Sequence, residues 1–313
     1  MSRPVFRFAP SPNGRLHLGH AYSALLNERL AAACDGRFLL RIEDIDPARC
    51  RPAYEAAIYD DLAWLGLCWE TPVRRQSEHW DDYRRAAASL RRTGLLYPCF
   101  CSRSAVGEAV ARREAGTGLA WPRDPDGAPL YPGTCRNRPL PDVEGRITAG
   151  EAHAWRIDME AALRAMPGPC RYRCFTPGGE DGLVDTRPGR WGDAVVVRKD
   201  TPTSYHLAVV VDDAIQEVSH VVRGRDLEAA TDLHVLLQRC LGLASPRYHH
   251  HALILDPLGE KLAKSRGSVA LFELRARGVA AHDVQKHFGL SPDAEDLQPD
   301  HAGPEGQDRR EGH

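Results

Sequence analysis

The apolar pattern changes period twice within the opening stretch of the chain. VFRFA (5–9) reads as a short strand and a Pro/Gly turn follows. An alanine- and leucine-rich run over about 19–33 then carries helical spacing, before strand character returns from Arg37 to Ile42. Strand, helix and strand in that order predict a βαβ crossover, the opening unit of a parallel sheet. Helical patterns follow over 52–65 and 78–93. From Tyr97 to about Arg190 cysteines, prolines and glycines break the periodicity, including a loop from Gly116 to Gly133, and this stretch is expected to be an insertion domain. Sheet-like runs resume at 194–198, 206–211 and 220–222, and a helix over 226–241 with a strand over 252–255 completes the alternation. The expected fold is therefore α/β, with a parallel-sheet core over 1–96 and 191–255 split by an insertion at 97–190. A loop and short helical segment over 256–290 and a tail at 291–313 complete it. No internal repeat is visible.

Composition narrows the class. A length of 313 residues suits about two domains. A formal charge of −2 argues against bulk electrostatic adhesion to nucleic acid and directs any RNA contact to local patches. The tail holds seven acids and two arginines and no aromatic or β-branched residue, so it is expected to be disordered. Nine cysteines, odd in number and unevenly spaced, do not read as a secreted disulfide framework. There is no apolar signal core, and no window approaches the roughly 20 apolar residues that span a bilayer. A reduced, cytoplasmic protein without a membrane partner is expected, and a monomer.

The first chemistry lies at the turn after the first strand. RFAPSPNGRLHLGH (7–20) sets His17 and His20 at the mouth of the first helix. A helix start, with its unpaired N–H groups and positive dipole end, attracts phosphate, and two imidazoles add donors. Gly19, lacking a side chain, lets a flat base lie against the backbone. The chain has only four lysines against 37 arginines, and two of the four, Lys261 and Lys264, stand three apart in KLAKS. A compact, mobile ammonium was evidently wanted there. A solvated loop would also tolerate such a pair; combined with the histidine turn, it points to a nucleotide site.

At these residues the chain resembles the class I aminoacyl-tRNA synthetases, whose two signatures have the consensus HIGH and KMSKS. It is most similar to the glutamyl branch: RFAPSPNGRLHLGH, RIEDID (41–46), VVRGRD (221–226) and KLAKS (261–265) occur in that branch's order. The resemblance covers about 3–290 and implies a Rossmann-like core carrying a connective domain. It implies that His17, Gly19, His20, Lys261 and Lys264 serve ATP, with Mg²⁺ accompanying the nucleotide, and that Ala263 stands where the family has the first serine of KMSKS. It also implies a glutamate pocket. Arg7 would clamp the γ-carboxylate with a planar fork, with Arg223 as second arginine, Ala9 and Ser11 as further contacts, Glu43 as acceptor of the α-ammonium and Tyr205 as lining.

Cys99-Phe100-Cys101 and Cys135 carry the soft ligands of a structural Zn²⁺ site, which wants four donors. Spacing leaves the fourth open among Cys170, Cys174 and a histidine. Resemblance to the small glutamyl-queuosine tRNA(Asp) synthetases, which carry a CxC…YxxxC set in this insertion, assigns it to Tyr131. After Ser265 little chain remains for the helical anticodon-binding region of an ordinary glutamyl enzyme. The implied activity is thus tRNA-independent formation of glutamyl-adenylate from ATP and L-glutamate. Transfer to queuosine in the anticodon loop of tRNA(Asp) would follow. The alternatives are a truncated synthetase charging the 3′ end of tRNA(Glu), or a silent RNA-binding paralogue. Asp212-Asp213 reads as a solvated turn after a strand, and His249 to His251 as a partly exposed strand entrance. Trp64, Trp69 and Trp80 read as core or domain-contact aromatics.

Overall fold

The computed structural model describes residues 3–254 and 269–290. The strands are β1 (Val5–Phe8), β2 (Arg37–Ile42), β3 (Glu70–Arg75), β4 (Leu96–Cys99), β5 (Ala154–Ile157), β6 (Arg171–Phe175), β7 (Asp181–Asp185), β8 (Val195–Val197), β9 (His220–Gly224) and β10 (Arg247–His251). The helices are α1 (Leu18–Ala33), α2 (Pro52–Trp64), α3 (Trp80–Arg92), α4 (Arg103–Thr117), α5 (Leu140–Thr148), α6 (Met159–Ala165), α7 (Tyr205–Ile215), α8 (Ala230–Leu241), α9 (Leu271–Ala276) and α10 (Ala281–His287).

The main sheet has the order β3-β2-β1-β9-β10-β6-β7. All its pairings are parallel except β6 with β7. From β1 the chain crosses through α1 to β2 on one side, and from β9 it crosses through α8 to β10 on the other. The order therefore reverses between β1 and β9, and a crevice opens beyond their carboxyl ends, where open α/β sheets bind ligands. This is the Rossmann-like build expected. A second, antiparallel sheet, β4-β5-β8, carries the cysteine-bearing region. β6 and β7, within the stretch read from sequence as insertion, extend the main sheet through Tyr248 opposite Cys174.

Strand alternation sorts the side chains. Phe6, Phe8, Phe38, Leu40, Ile42 and Val222 pack into one cluster with α1 and α2. Val5, Leu39 and Val221 face the opposite side. Arg7, Arg41 and Arg223 share the parity of that second set, so three buried arginines meet beneath α7 and α8. Trp64 and Trp69 border the first cluster, and Trp80 borders a third built from α3, α7, α8 and the small sheet.

Four expectations are corrected. Residues 206–211 are not a strand but part of α7. The run of valines suggests β structure, yet Ser204 accepts from Leu207 N as an N-cap, and Leu207, Val210, Val211 and Ala214 keep helical spacing. Asp212 and Asp213 are not a solvated turn: they lie on the same helix at 0% and 5% exposure. The last strand is RYHHH rather than 252–255; Ala252 to Ile254 are irregular and Leu255 lies outside the described residues. β10 runs between β9 and β6, so His249 and His251 are buried in an interior strand and not at an exposed entrance. The expected disordered tail, 291–313, lies outside the described residues. Among those residues no helix is long and apolar enough to cross a membrane.

Candidate active site and metal centre

A cavity of about 680 Å³ occupies the crevice at the β1/β9 reversal and is lined by Arg7, Ala9, Ser11, His17, Gly19, His20, Glu43, Tyr205 and Arg223. Every candidate nucleotide or amino-acid residue in the described chain is thus in one place. Lys261 and Lys264 fall outside the described residues.

The histidines form the helix start itself. His17 is the N-cap of α1: its Nδ1 accepts from Gly19 N at 3.1 Å, while His20 Nδ1 accepts from His17 N at 3.2 Å. The two side chains close a reciprocal capping box. Some of the backbone donors expected to meet phosphate are therefore already used, and an imidazole accepting at Nδ1 carries its proton on Nε2. The remaining ring nitrogen of each histidine is Nε2. Gly19 also matters for the cap, because a Cβ there would sit 3.1 Å from His17 Cε1.

The floor is an arginine–carboxylate network that alternation on β1 and β2 assembles against α7. Arg7 Nε donates to Asp213 Oδ1 at 3.1 Å, and Arg41 Nη1 donates to the same oxygen at 2.7 Å. Arg41 Nη2 reaches Glu43 at 3.1 Å. Asp212 accepts from Arg74, Gln76 and Tyr83. Burial opposes the charge of Asp213, but Arg7 and Arg41 hold its carboxyl below the ordinary value. In Glu43 the balance goes the other way: burial outweighs Arg41 and Arg7 and raises its pKa. Burial likewise raises Tyr205.

Arg223 differs from its neighbours. It is 6% exposed, and no carboxylate of the described residues pairs with it. Its partners are neutral: His234, Thr231 and His250. A cation held this way, facing a cavity, is a site for an anion. Asp213, Arg41, Thr231, His234 and His250 escaped sequence reading as site residues. Among them Asp213 alone carried a usable signal, the helical spacing of its segment.

The cysteine cluster is assembled as well. Cys99 leaves β4, and Cys99, Cys101 and Cys135 bring their sulfurs within 4.8 Å of one another, so the cluster can hold a metal ion. Cys101 and Cys135 sulfurs are 3.6 Å apart. A tetrahedral ion with Zn–S of about 2.3 Å asks for about 3.8 Å along that edge. Tyr131 Oη lies 3.3 Å from Cys99 Sγ and 3.4 Å from Cys101 Sγ, beside the cluster. Cys170 and Cys174 are excluded as fourth ligands because they pack beside Tyr172 and Tyr248 on the main sheet. Hydrogen bonding within the cluster, led by Cys99, draws the Cys135 thiol down to about 3, while Cys99 itself is raised. The Arg156 guanidinium lies 3.9 Å over the Tyr131 ring. A cation thus stands beside the cluster. The interval between Cys101 and Tyr131 is filled by α4 and a turn closed by Trp121 Nε1 on Leu130 O at 2.7 Å.

A nucleotide-type crevice at the sheet reversal, a histidine-capped helix and a paired-cation floor define an adenylate-forming synthetase core. The family model "tRNA synthetases class I (E and Q), catalytic domain" matches residues 5–284, and the chain belongs to that family. Within it, the chain is 45% identical over 288 residues to the Glutamyl-Q tRNA(Asp) synthetase of Rhodobacter capsulatus, covering 91% of this chain and 100% of that one. It is 40% identical over 310 residues to the protein of the same name from Symbiobacterium thermophilum, covering 94% and 89%. Among solved structures it is similar to a glutamate tRNA ligase from Elizabethkingia meningosepticum in complex with its amino acid. The TM-score there is 0.68 at 27% identity, covering 88% of this chain and 53% of that one. The chain thus spans about half the length of that ligase.

Proposed function

We propose that this protein activates glutamate with ATP, without tRNA, and transfers it to the queuosine base at the wobble position of tRNA(Asp). The observation that carries the activation step is the cavity in which an arginine held by neutral partners, a carboxylate and a histidine-capped helix start converge. The acceptor follows from the names of the relatives, with which the chain aligns almost end to end.

No side-chain nucleophile takes part. The α-carboxylate oxygen of glutamate attacks the α-phosphorus of ATP, the bond to the β-phosphate bridging oxygen breaks, and pyrophosphate leaves. The work of the protein is to hold two anions in line and stabilise charge on the phosphorus. Arg7 and Arg223 receive the γ-carboxylate, with Tyr205 beside them. Glu43 receives the α-ammonium, whose charge restores the ionised form that burial disfavours. Ala9 and Ser11 complete the wall. His17, Gly19 and His20 bind the phosphates from the helix side, and Lys261 and Lys264 supply further cations to the nucleotide. Mg²⁺ accompanies the nucleotide. In the second step a hydroxyl of the cyclopentenediol of queuosine attacks the acyl carbonyl, an ester forms and AMP leaves.

Cys99, Cys101, Tyr131 and Cys135 would hold one structural Zn²⁺, which ties the end of β4 to the segment after α4. Metal analysis is expected to find about one zinc per chain. Cys135→Ser should lose it and lower the unfolding temperature; a metal-free protein of wild-type stability would count against the site. For the activation step, glutamate-dependent ATP–pyrophosphate exchange is expected with no RNA present. Its absence at saturating ATP and Mg²⁺ would remove the proposed activity.

A further inference from the structure

Three histidines and a threonine behind Arg223 form a hydrogen-bonded chain whose proton positions the guanidinium dictates. An arginine side chain has donors only, so His234 Nδ1, 3.2 Å from Arg223 Nη1, must accept. The His234 proton is then on Nε2, which donates to His206 Nδ1 at 3.1 Å. On the other branch Arg223 Nη2 donates to Thr231 Oγ1 at 2.8 Å, and Thr231 donates onward to His250 Nε2 at 3.0 Å. His234 is 2% exposed and Thr231 is fully buried. Neither lines the cavity. Burial holds all three imidazoles neutral, with His206 pushed down to about 4 and His250 to about 3.

The contrast with the neighbouring cations gives this chain its meaning. Arg7 and Arg41 share Asp213, and Arg41 also reaches Glu43 and Asp212, so their charge is partly compensated within the protein. A carboxylate at position 234 would do the same to Arg223, and any ligand would then have to compete with it. A neutral acceptor fixes the fork without cancelling its charge. Each Nη carries two hydrogens, so one is committed to His234 or Thr231 and the other is left for a ligand. A carboxylate presents two acceptors to such a fork, whereas an amide turns an N–H toward one of the donors.

We propose that His234, its tautomer set by Arg223 and its ring held by His206, is a specificity-determining positioning residue that orients Arg223 through a neutral contact, so that the pocket takes glutamate and rejects glutamine. This rests on the glutamate-pocket reading above. Because Gln and Glu differ in charge and scarcely in size, the pair His234→Gln and His234→Glu isolates the property in question. In calorimetric titration of the full chain, wild type is expected to bind glutamate and not glutamine. His234→Gln should keep glutamate affinity within about threefold, while His234→Glu should lose about 100-fold and most of its selectivity. In pyrophosphate exchange the loss should appear in the KM for glutamate, with the KM for ATP unchanged. Should His234→Glu not fold, His234→Leu, which removes the acceptor and adds no charge, should lower glutamate affinity about tenfold with the KM for ATP unchanged. Glutamate affinity and selectivity equal to wild type in the folded Glu or Leu variant would overturn the proposal and leave the pocket reading intact. A wild type that binds no glutamate would overturn both.

Discussion

Arg223→Met is expected to reduce kcat/KM for glutamate by about 10³-fold while leaving the unfolding temperature within a few degrees of wild type. The two readouts separate because no carboxylate of the described residues pairs with Arg223. In the substrate complex its removal leaves a buried γ-carboxylate without its cation, and truncating one side of such a pair costs about 2–5 kcal/mol. In the free protein, by contrast, Arg223 is a desolvated cation held by neutral acceptors. Replacing it with a thioether of similar reach gives up hydrogen bonds and removes a buried charge, and these effects oppose each other. Steady-state exchange kinetics at varied glutamate, with a thermal melt of the same sample, check both. A variant that unfolds early, or one that keeps its glutamate KM, contradicts the assignment.

Asp213→Asn should behave in the opposite way, chiefly as a stability defect. Asp213 pairs with both Arg7 and Arg41 in a buried position, and breaking a buried ionic cluster by removing one member costs about 3–5 kcal/mol. In a chain of this size that is a fall of roughly 10 °C in the unfolding temperature. The defect should depend on pH with a definite sign. The folded pKa of Asp213 lies below the ordinary 3.8, so its contribution is complete above that value and is lost as pH falls through the folded pKa. Wild type and variant should therefore differ most near neutrality and converge as the medium is acidified below pH 3.8. A difference that is independent of pH would mean that the carboxylate charge is not what the two arginines need. Because Arg7 loses its anchor, the same variant should also show a raised KM for glutamate.

Local chemistry explains what was legible in the chain. The strand-turn-helix at 7–20 is encoded by adjacent residues: alternation on β1, a Pro/Gly turn, and two histidines at the spacing that caps a helix. Its placement needed no distant partner. The positions of Arg7, Glu43 and Arg223 followed similarly, since each stands at the carboxyl end of a parallel strand and the sheet reversal brings those ends together. Non-local pairing was harder to read. Asp213 meets Arg41 across 172 residues, and its role stayed hidden while three valines disguised α7 as a strand. RYHHH became the final strand because β9 and β6 satisfy its backbone on both sides, which hydropathy does not report. Cys99, Cys101 and Cys135 were legible as soft ligands, but only the packing of Cys170 and Cys174 on the main sheet removed those two as partners. His234 gave no local signal, because its meaning lies in the arginine it faces.

The RNA acceptor of glutamate distinguishes this protein from a synthetase that charges a 3′ end. Protein, ATP, Mg²⁺ and labelled glutamate should be incubated with tRNA(Asp) carrying queuosine, with the unmodified tRNA(Asp) transcript, and with tRNA(Glu) before and after periodate oxidation of its 3′ end. Label is expected on the queuosine-containing tRNA(Asp) alone, and it should be retained when that tRNA's 3′-terminal nucleotides have been trimmed enzymatically, a treatment that leaves the cyclopentenediol intact. Label on tRNA(Glu) that periodate abolishes, with none on queuosine, would contradict that expectation and assign the activity to the 3′ terminus.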